Sequence, residues 1–448
     1  MFKNVSLVVL VVLLLLACLM EPLVAGRIGG TQTIMLGVVI CLIIAYYTRD
    51  DVPFPQAVKQ VVQANKGLLF LLIWYYLWVT IGYFRDIESV PFVEVKYHLT
   101  FIFSLCLGFF LTVNKKYTRL LILTMIPFML YHALRAKRYV DMTGYDLRAA
   151  LIDEEGKLGH TYYWTAFAML VLTLVGYLLN EKNKIIKIIG ALCLLPCYYA
   201  LLICGFATPV ALGVVGHLLV GWAYFKFSRK NNALFLTRLL VLAGIVTSTA
   251  LTVYVLSKAE NNPRLYNISY RIQRMLEDPR GGGYDRNESR FNLIFISLDT
   301  FKENPLFGSG GGYLANPKTG GHQALFDYLA LYGIMGGGAF ILFVFLCLRN
   351  AGLRCKQEQD WASYGRFAAV GVYVIVGIVN PSWMGPAAVP FFLLGQPFKL
   401  PKPHPVLNPP KMRAQMYDPT RHSRHQKVLN PPEFDVQAHR RRNLRNPL

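Results

Sequence analysis

Charge is what this chain is short of. Asp, Glu, Lys and Arg make up 16% of its 448 residues, where a soluble domain carries about 25%. Acidic residues are scarcer still, 25 against 46 Lys and Arg, for a formal net charge of +21. Hydrophobic residues account for 54%. Water cannot solvate so apolar a chain, so an ordinary soluble domain is excluded and the excess must face lipid. The chain has no CxxC pair and no Cys/His cluster with metal-ligand spacing, which removes the usual zinc signatures. Seven of the 8 cysteines (Cys18, Cys41, Cys106, Cys193, Cys197, Cys204 and Cys347) lie in apolar runs and read as small buried hydrophobes. Cys355 alone sits in a polar stretch.

The basic excess does not indicate nucleic acid. Much of it lies in short connectors between apolar runs and in the tail after Lys399, which is the topology signal of membrane proteins. Apolar runs predict about twelve spans, near 5–25, 31–47, 67–84, 97–113, 119–134, 162–180, 187–205, 209–226, 238–256, 328–348, 365–382 and 386–398. The first resembles a signal peptide with a lipoprotein-like Leu15-Leu16-Ala17-Cys18 box. Its bulky Leu16 and the apolar continuation through Ala25 favour an uncleaved helix instead. Every second connector is basic: Arg49, Lys59 and Lys66; Lys115, Lys116 and Arg119; Lys182, Lys184 and Lys187; Lys226, Arg229, Lys230 and Arg238; Arg349, Arg354, Lys356 and Arg366. That set is expected in the cytoplasm with both termini, which leaves loops 135–161 and 258–321 outside.

The expected fold class is all-α: a polytopic transmembrane helical bundle over 1–398, with one large extracytoplasmic loop containing short helices. The tail 399–448 is basic and Pro-rich, repeats Val-Leu-Asn-Pro-Pro at 406 and 428, and cannot bury a core. It suits a surface of anionic membrane lipids or a cytoplasmic partner.

The second outward loop reads in three parts. Arg264, Arg271, Arg274, Arg280, Arg286 and Arg290 form an all-arginine basic set, which suits bidentate recognition of phosphate or carboxylate. A helix is expected next, capped by Asn287-Glu288-Ser289 and stopped by Asn304-Pro305. Arg290 is in its first turn, and Phe291, Ile294, Phe295, Leu298 and Phe301 share one face. Last come Pro305-Leu306-Phe307-Gly308-Ser309-Gly310-Gly311-Gly312 and Gly320-Gly321-His322-Gln323. Glycines let a backbone turn tightly and approach a ligand. The Gly-Lys-Ser/Thr ending of a nucleotide P-loop is absent. His322 opens an apolar helix that runs into Gly333-Ile334-Met335-Gly336.

These segments resemble the O-antigen ligase and polymerase superfamily of bacterial inner-membrane glycosyltransferases. His322-Gln323, nine residues, then Gly333-Ile334-Met335-Gly336 is similar to the family's His-Asn/Ser/Gln, nine residues, Gly-x-x-Gly pattern. Ser289-Arg290 before an apolar helix resembles its arginine-bearing segment. Pro305-Leu306-Phe307-Gly308-Ser309-Gly310 resembles its Pro-Leu-x-Gly-x-Gly turn. The resemblance implies transfer of a glycan from undecaprenyl diphosphate to an acceptor hydroxyl on the periplasmic face, without metal, nucleotide or other cofactor. His322 is then the expected base and Arg290 the group stabilising the departing diphosphate. Arg271, Arg274, Gly308, Gly310 and Gln323 are expected to bind substrate, with Arg138 and Arg148 contributing from the first outward loop. The acceptor is lipid A core in a ligase and a lipid-linked repeat unit in a polymerase. The nine-residue spacing leans toward the ligase. One departure stands out: where many members carry Ser-Arg-Gly in an earlier span, this chain has Cys204-Gly205-Phe206-Ala207-Thr208-Pro209. A polysaccharide transporter or flippase shares the span count. It would show internal repeats or intramembrane charges, and the sequence shows no duplication and keeps its charges in loops.

Overall fold

The computed structural model describes residues 54–90, 92–113, 115–144, 161–204, 206–227, 290–312, 316, 318–321, 323–380, 383–384 and 387–399. All regular structure among them is helical. The expected spans 5–25, 31–47 and 238–256 lie outside the described residues, as do Arg148, Arg271, Arg274, His322 and the tail. The chain divides into two units at Pro401, and every described residue belongs to the first.

The helices are α1 (Phe54–Ala64), α2 (Lys66–Arg85), α3 (Phe92–Val113), α4 (Lys115–Thr143), α5 (Thr161–Asn180), α6 (Lys184–Ile203), α7 (Ala207–Phe227), α8 (Arg290–Glu303), α9 (Ala324–Gly333), α10 (Ala339–Glu358) and α11 (Trp361–Val379). A wide π-type turn, Ile334–Gly338, joins α9 to α10. Five stretches are long and apolar enough to cross a membrane: α2, α6, α7, α9 with α10, and α11. Among the described residues the protein is accordingly all-helical, with the long apolar helices of a membrane protein.

Apolar residues on both faces of a helix mean that one face packs and the other meets lipid. In α2 the buried residues are Leu68, Leu72, Tyr75, Val79 and Gly82, spaced four, three, four and three. Phe70, Ile73, Leu77 and Phe84 are exposed on the rest of its surface. In α6 the Asn183 side chain caps the start by accepting from Ile185 N (3.0 Å) and Ile186 N (3.3 Å). Ile185, Ile188, Ile189, Leu192 and Leu195 then face outward. The centre of the bundle is α11, buried over most of its length and packed on α5, α7 and α10. Gly176 of α5 and Gly365 of α11 bring those two backbones into direct contact, the small-residue crossing favoured between membrane helices.

Three expectations change. The stretch from Arg135 was expected to be loop, yet α4 continues to Thr143. No breaker intervenes, Lys137 and Asp141 pair across one turn, and Gly144 ends the helix at positive φ. The short final span, 386–398, is not a regular helix: it is a three-residue helix, Ala388–Pro390, followed by a π-type turn, Phe391–Gly395. Pro390 and Pro397 prevent a continuous helix. The segment still returns along α11, with Phe391 stacked on Tyr373 and Phe398 on Phe109. Irregular backbone is tolerated here because protein surrounds it, with Phe391, Phe392 and Phe398 fully buried. Charge also does not keep to loops. Glu94 in the first turn of α3 and Arg354 in α10 are buried.

Candidate functional site

The helix of α9 breaks at Gly333, whose φ of 62° and ψ of −168° are open only to glycine. A break strands backbone donors and acceptors in apolar surroundings. Here the glycine loop supplies their partners. Ser309 N donates to Ala330 O and Gly310 N to Leu331 O, both at 2.9 Å. In return Ile334 N donates to Pro305 O (2.9 Å) and Met335 N to Leu306 O (3.2 Å). The fit is reciprocal at two glycines. A Cβ on Gly308 would overlap the Leu331 carbonyl, and one on Gly333 would overlap that of Leu306. Both glycines have positive φ. Two of the sequence patterns, Pro305–Gly310 and Gly333–Gly336, thus form one interlocked joint.

The joint rests on the Arg85 end of α2. Gly311 N donates to Gly82 O at 2.9 Å. The Tyr332 ring lies against Gly82 and its hydroxyl is 3.4 Å from Gly311 O. Trp78 stacks on Phe307 at 5.3 Å, and Trp74 Nε1 donates to Met335 O at 2.9 Å, satisfying a carbonyl in the π-type turn. The Gly308, Gly310 and Gly311 amides are therefore committed to protein carbonyls. A ligand at Gly308–Gly311 would be met by side chains and not by an amide cradle.

The helix that begins at Arg290, α8, is fastened to α9 by one buried polar contact. Ser297 Oγ donates to Asp327 Oδ1 at 2.6 Å and accepts from Gly320 N at 2.9 Å. Gln323 N donates to Asp327 Oδ2 at 3.1 Å, and the Gly321 amide bonds to the same carboxylate. Ser297 and Asp327 are 0% and 1% exposed. A carboxylate so buried is tolerated because it is surrounded by donors. Lys318, which bonds Asp86 at 2.9 Å, and Thr300, which donates to Lys318 O at 2.6 Å, tie the rest of the loop to α2 and α8. Among the described side chains α8 presents Phe295 and Ile296 outward, and its one buried residue is a serine.

A second polar group lies where α2 meets α3. Tyr83 donates to Glu94 Oε1 at 2.6 Å. His98, one turn on, has Nε2 3.9 Å from that oxygen and Nδ1 3.4 Å from the Tyr76 hydroxyl. Glu94 is fully buried. The sequence reading began this span at 97 and so left Glu94 outside it.

The expected site residues distribute as follows. Arg290 is the first residue of α8. Gly308, Gly310 and Gln323 belong to the joint and its neighbour contact. Gln323 is the N-cap of α9 but makes no side-chain cap bond. Arg138 lies on the exposed side of α4. Sequence reasoning missed Ser297, Asp327, Arg85 and Glu94. An aspartate four residues after Gln323 was the available signal for the Asp327 cap, and nothing in the sequence announces its partner Ser297.

No protein-family model matches the chain, and no curated protein matches it. The resemblance described above rests on the quoted residues.

Proposed function

We propose that the protein is an integral membrane glycosyltransferase that moves a glycan from undecaprenyl diphosphate to an acceptor hydroxyl, most closely an O-antigen ligase. The observation that carries the reading is convergence. The three segments that bear the resemblance are separate in sequence, yet the Gly308–Gly333 interlock joins two of them and the Ser297–Asp327 contact joins the third. On this reading the bundle has about twelve spans, the joint faces the periplasm, and both termini are cytoplasmic.

The chemistry is a single displacement. The acceptor oxygen attacks the anomeric carbon as the bond from that carbon to the diphosphate oxygen breaks. His322 takes the hydroxyl proton. Arg290 meets the charge that develops on the leaving diphosphate, with Arg271 or Arg274 as a second guanidinium. One displacement inverts the anomeric centre and needs no covalent intermediate. The donor and the acceptor, lipid A core or another lipid-linked glycan, are the partners this requires.

The test uses purified full-length protein with a lipid-linked oligosaccharide and candidate acceptors, reading released undecaprenyl diphosphate and glycosylated product. His322→Ala and Arg290→Ala should each abolish transfer while protein yield stays normal. Full activity in both variants overturns the assignment. Product length separates ligase from polymerase. A transporter or flippase is the second reading, favoured by the buried Glu94–His98 pair, since ionisable residues within membrane helices mark transport paths. Vectorial solute movement in liposomes without turnover would select it.

A further inference from the structure

Arg85, the last residue of α2, is a fixed cation with no anionic partner among the described residues. Its Nη1 donates to Gly308 O at 3.1 Å and to Phe307 O at 3.4 Å. Both acceptors are neutral carbonyls. The adjacent carboxylate, Asp86, bonds Lys318 instead, and among the described residues Arg85 has no carboxylate within salt-bridge distance. A guanidinium held through one nitrogen keeps its other donors for a planar, two-oxygen acceptor, the geometry in which arginine binds phosphate. The C-terminal end of a helix offsets only a fraction of a unit charge, so Arg85 still presents positive potential.

Its surroundings are apolar and exposed. Phe84 precedes it at 78% exposure and Ile87 follows closely at 65%. Leu306 and Phe307, the latter carrying one of the bonded carbonyls, are 55% and 51% exposed. Side chains this large and this exposed suit the boundary between lipid tails and head groups. An arginine among them, next to the Asp86–Lys318 pair and three residues before the exposed Glu88, matches a ligand that is anionic at its head and apolar along its tail.

We propose that Arg85 is a binding residue for the phosphate-bearing head of a lipid, whose chain lies on the apolar rim of Phe84, Ile87, Leu306 and Phe307. The source is a membrane lipid and not free phosphate, because the charge complementarity is to one head group and the rim would otherwise be unused. The proposed function supplies the expectation that this head is the donor's diphosphate. The contact itself does not depend on that reading.

The experiment measures binding of undecaprenyl diphosphate to the full-length protein in phosphatidylcholine nanodiscs. Inorganic diphosphate serves as the chainless probe and phosphatidylglycerol as the ordinary anionic lipid. Arg85→Ala should weaken undecaprenyl diphosphate binding by about tenfold or more, and Arg85→Lys by less. Ile87→Asp, at a position 65% exposed, should weaken it by setting a negative charge near Arg85 and removing part of the rim, and guards against misfolding of the first variant. Inorganic diphosphate should bind much more weakly than the lipid. Unchanged lipid affinity in Arg85→Ala and Ile87→Asp overturns the inference, as does equal affinity for the chainless probe. Equal Arg85-dependent binding of phosphatidylglycerol keeps the lipid site and removes the donor as its particular occupant. Arg85-dependent binding with no glycan transfer would retain the site and reject the proposed function. Normal binding in both variants, with transfer abolished by His322→Ala, would do the opposite.

Discussion

The two ends of α2 are closed by different chemistry. At the Lys66 end, side chains hold backbone. Asn65 donates to Lys399 O at 3.1 Å and accepts from Lys399 N at 2.8 Å. Close by in sequence, Arg354 donates to Gln396 O at 2.8 Å and Asn350 to Pro397 O at 3.4 Å. Glu358 lies between Arg354 (3.3 Å) and Arg366. At the Arg85 end, backbone holds backbone through the Gly308–Gly333 joint, and the cations Arg85 and Lys318 remain on the surface. Charges buried in pairs are consumed by structure. The Arg85 end buries the carboxylates Glu94 and Asp327, but its arginine stays on the surface, so the candidate site belongs to the end that keeps an exposed guanidinium.

The largest effect should come from breaking the backbone closure. Gly333→Ala puts a Cβ onto the Leu306 carbonyl at a φ closed to alanine and should cost about 3 kcal/mol or more. Thermal unfolding in detergent measures it, and a midpoint equal to wild type would mean the joint is not a structural element. Next comes the opposite end. Arg354→Ala removes the buried guanidinium that holds Gln396, for a loss of about 3 kcal/mol, the low end for a buried pair because Glu358 keeps Arg366. Hydrogen exchange at Ser309, Gly310 and Gly311 should quicken modestly, and exchange as in wild type there would show that the two ends are independent. The smallest effect should follow Ser297→Ala, about 1–2 kcal/mol. Its signature is local: faster exchange at Gly320 and Gln323 with the Ser309 and Gly310 amides unmoved.

Much of the bundle was legible because hydropathy reports helices directly. The expected 67–84, 162–180, 187–205 and 209–226 fall on α2, α5, α6 and α7 within a few residues. The misreadings have physical causes. Residues 135–143 are polar enough to read as loop, yet polarity does not end a helix when i,i+4 pairs support it. The 386–398 run is apolar enough to read as a span, but its prolines forbid one and the core accepts the broken form. At the candidate site the sequence displayed the glycines and not what they touch. Gly308 and Gly333 are 25 residues apart and Ser297 and Asp327 are 30 apart, distances over which no periodicity carries information. Arg85 passed unremarked as an ordinary residue ending a span.

The kink at Gly333 and the position of the glycine loop are a single mechanical degree of freedom. Four hydrogen bonds both seat the loop and heal the helix. Lifting the loop would strand those backbone groups in an apolar setting unless the helix straightened across Gly333 to recapture its own. A straightened helix would swing α10 as a rigid arm, 20 residues long with Arg354 near its far tip. Whatever pries at the loop must therefore work against the buried ion pairs at the other end, which act as the anchor of a lever whose pivot is one glycine.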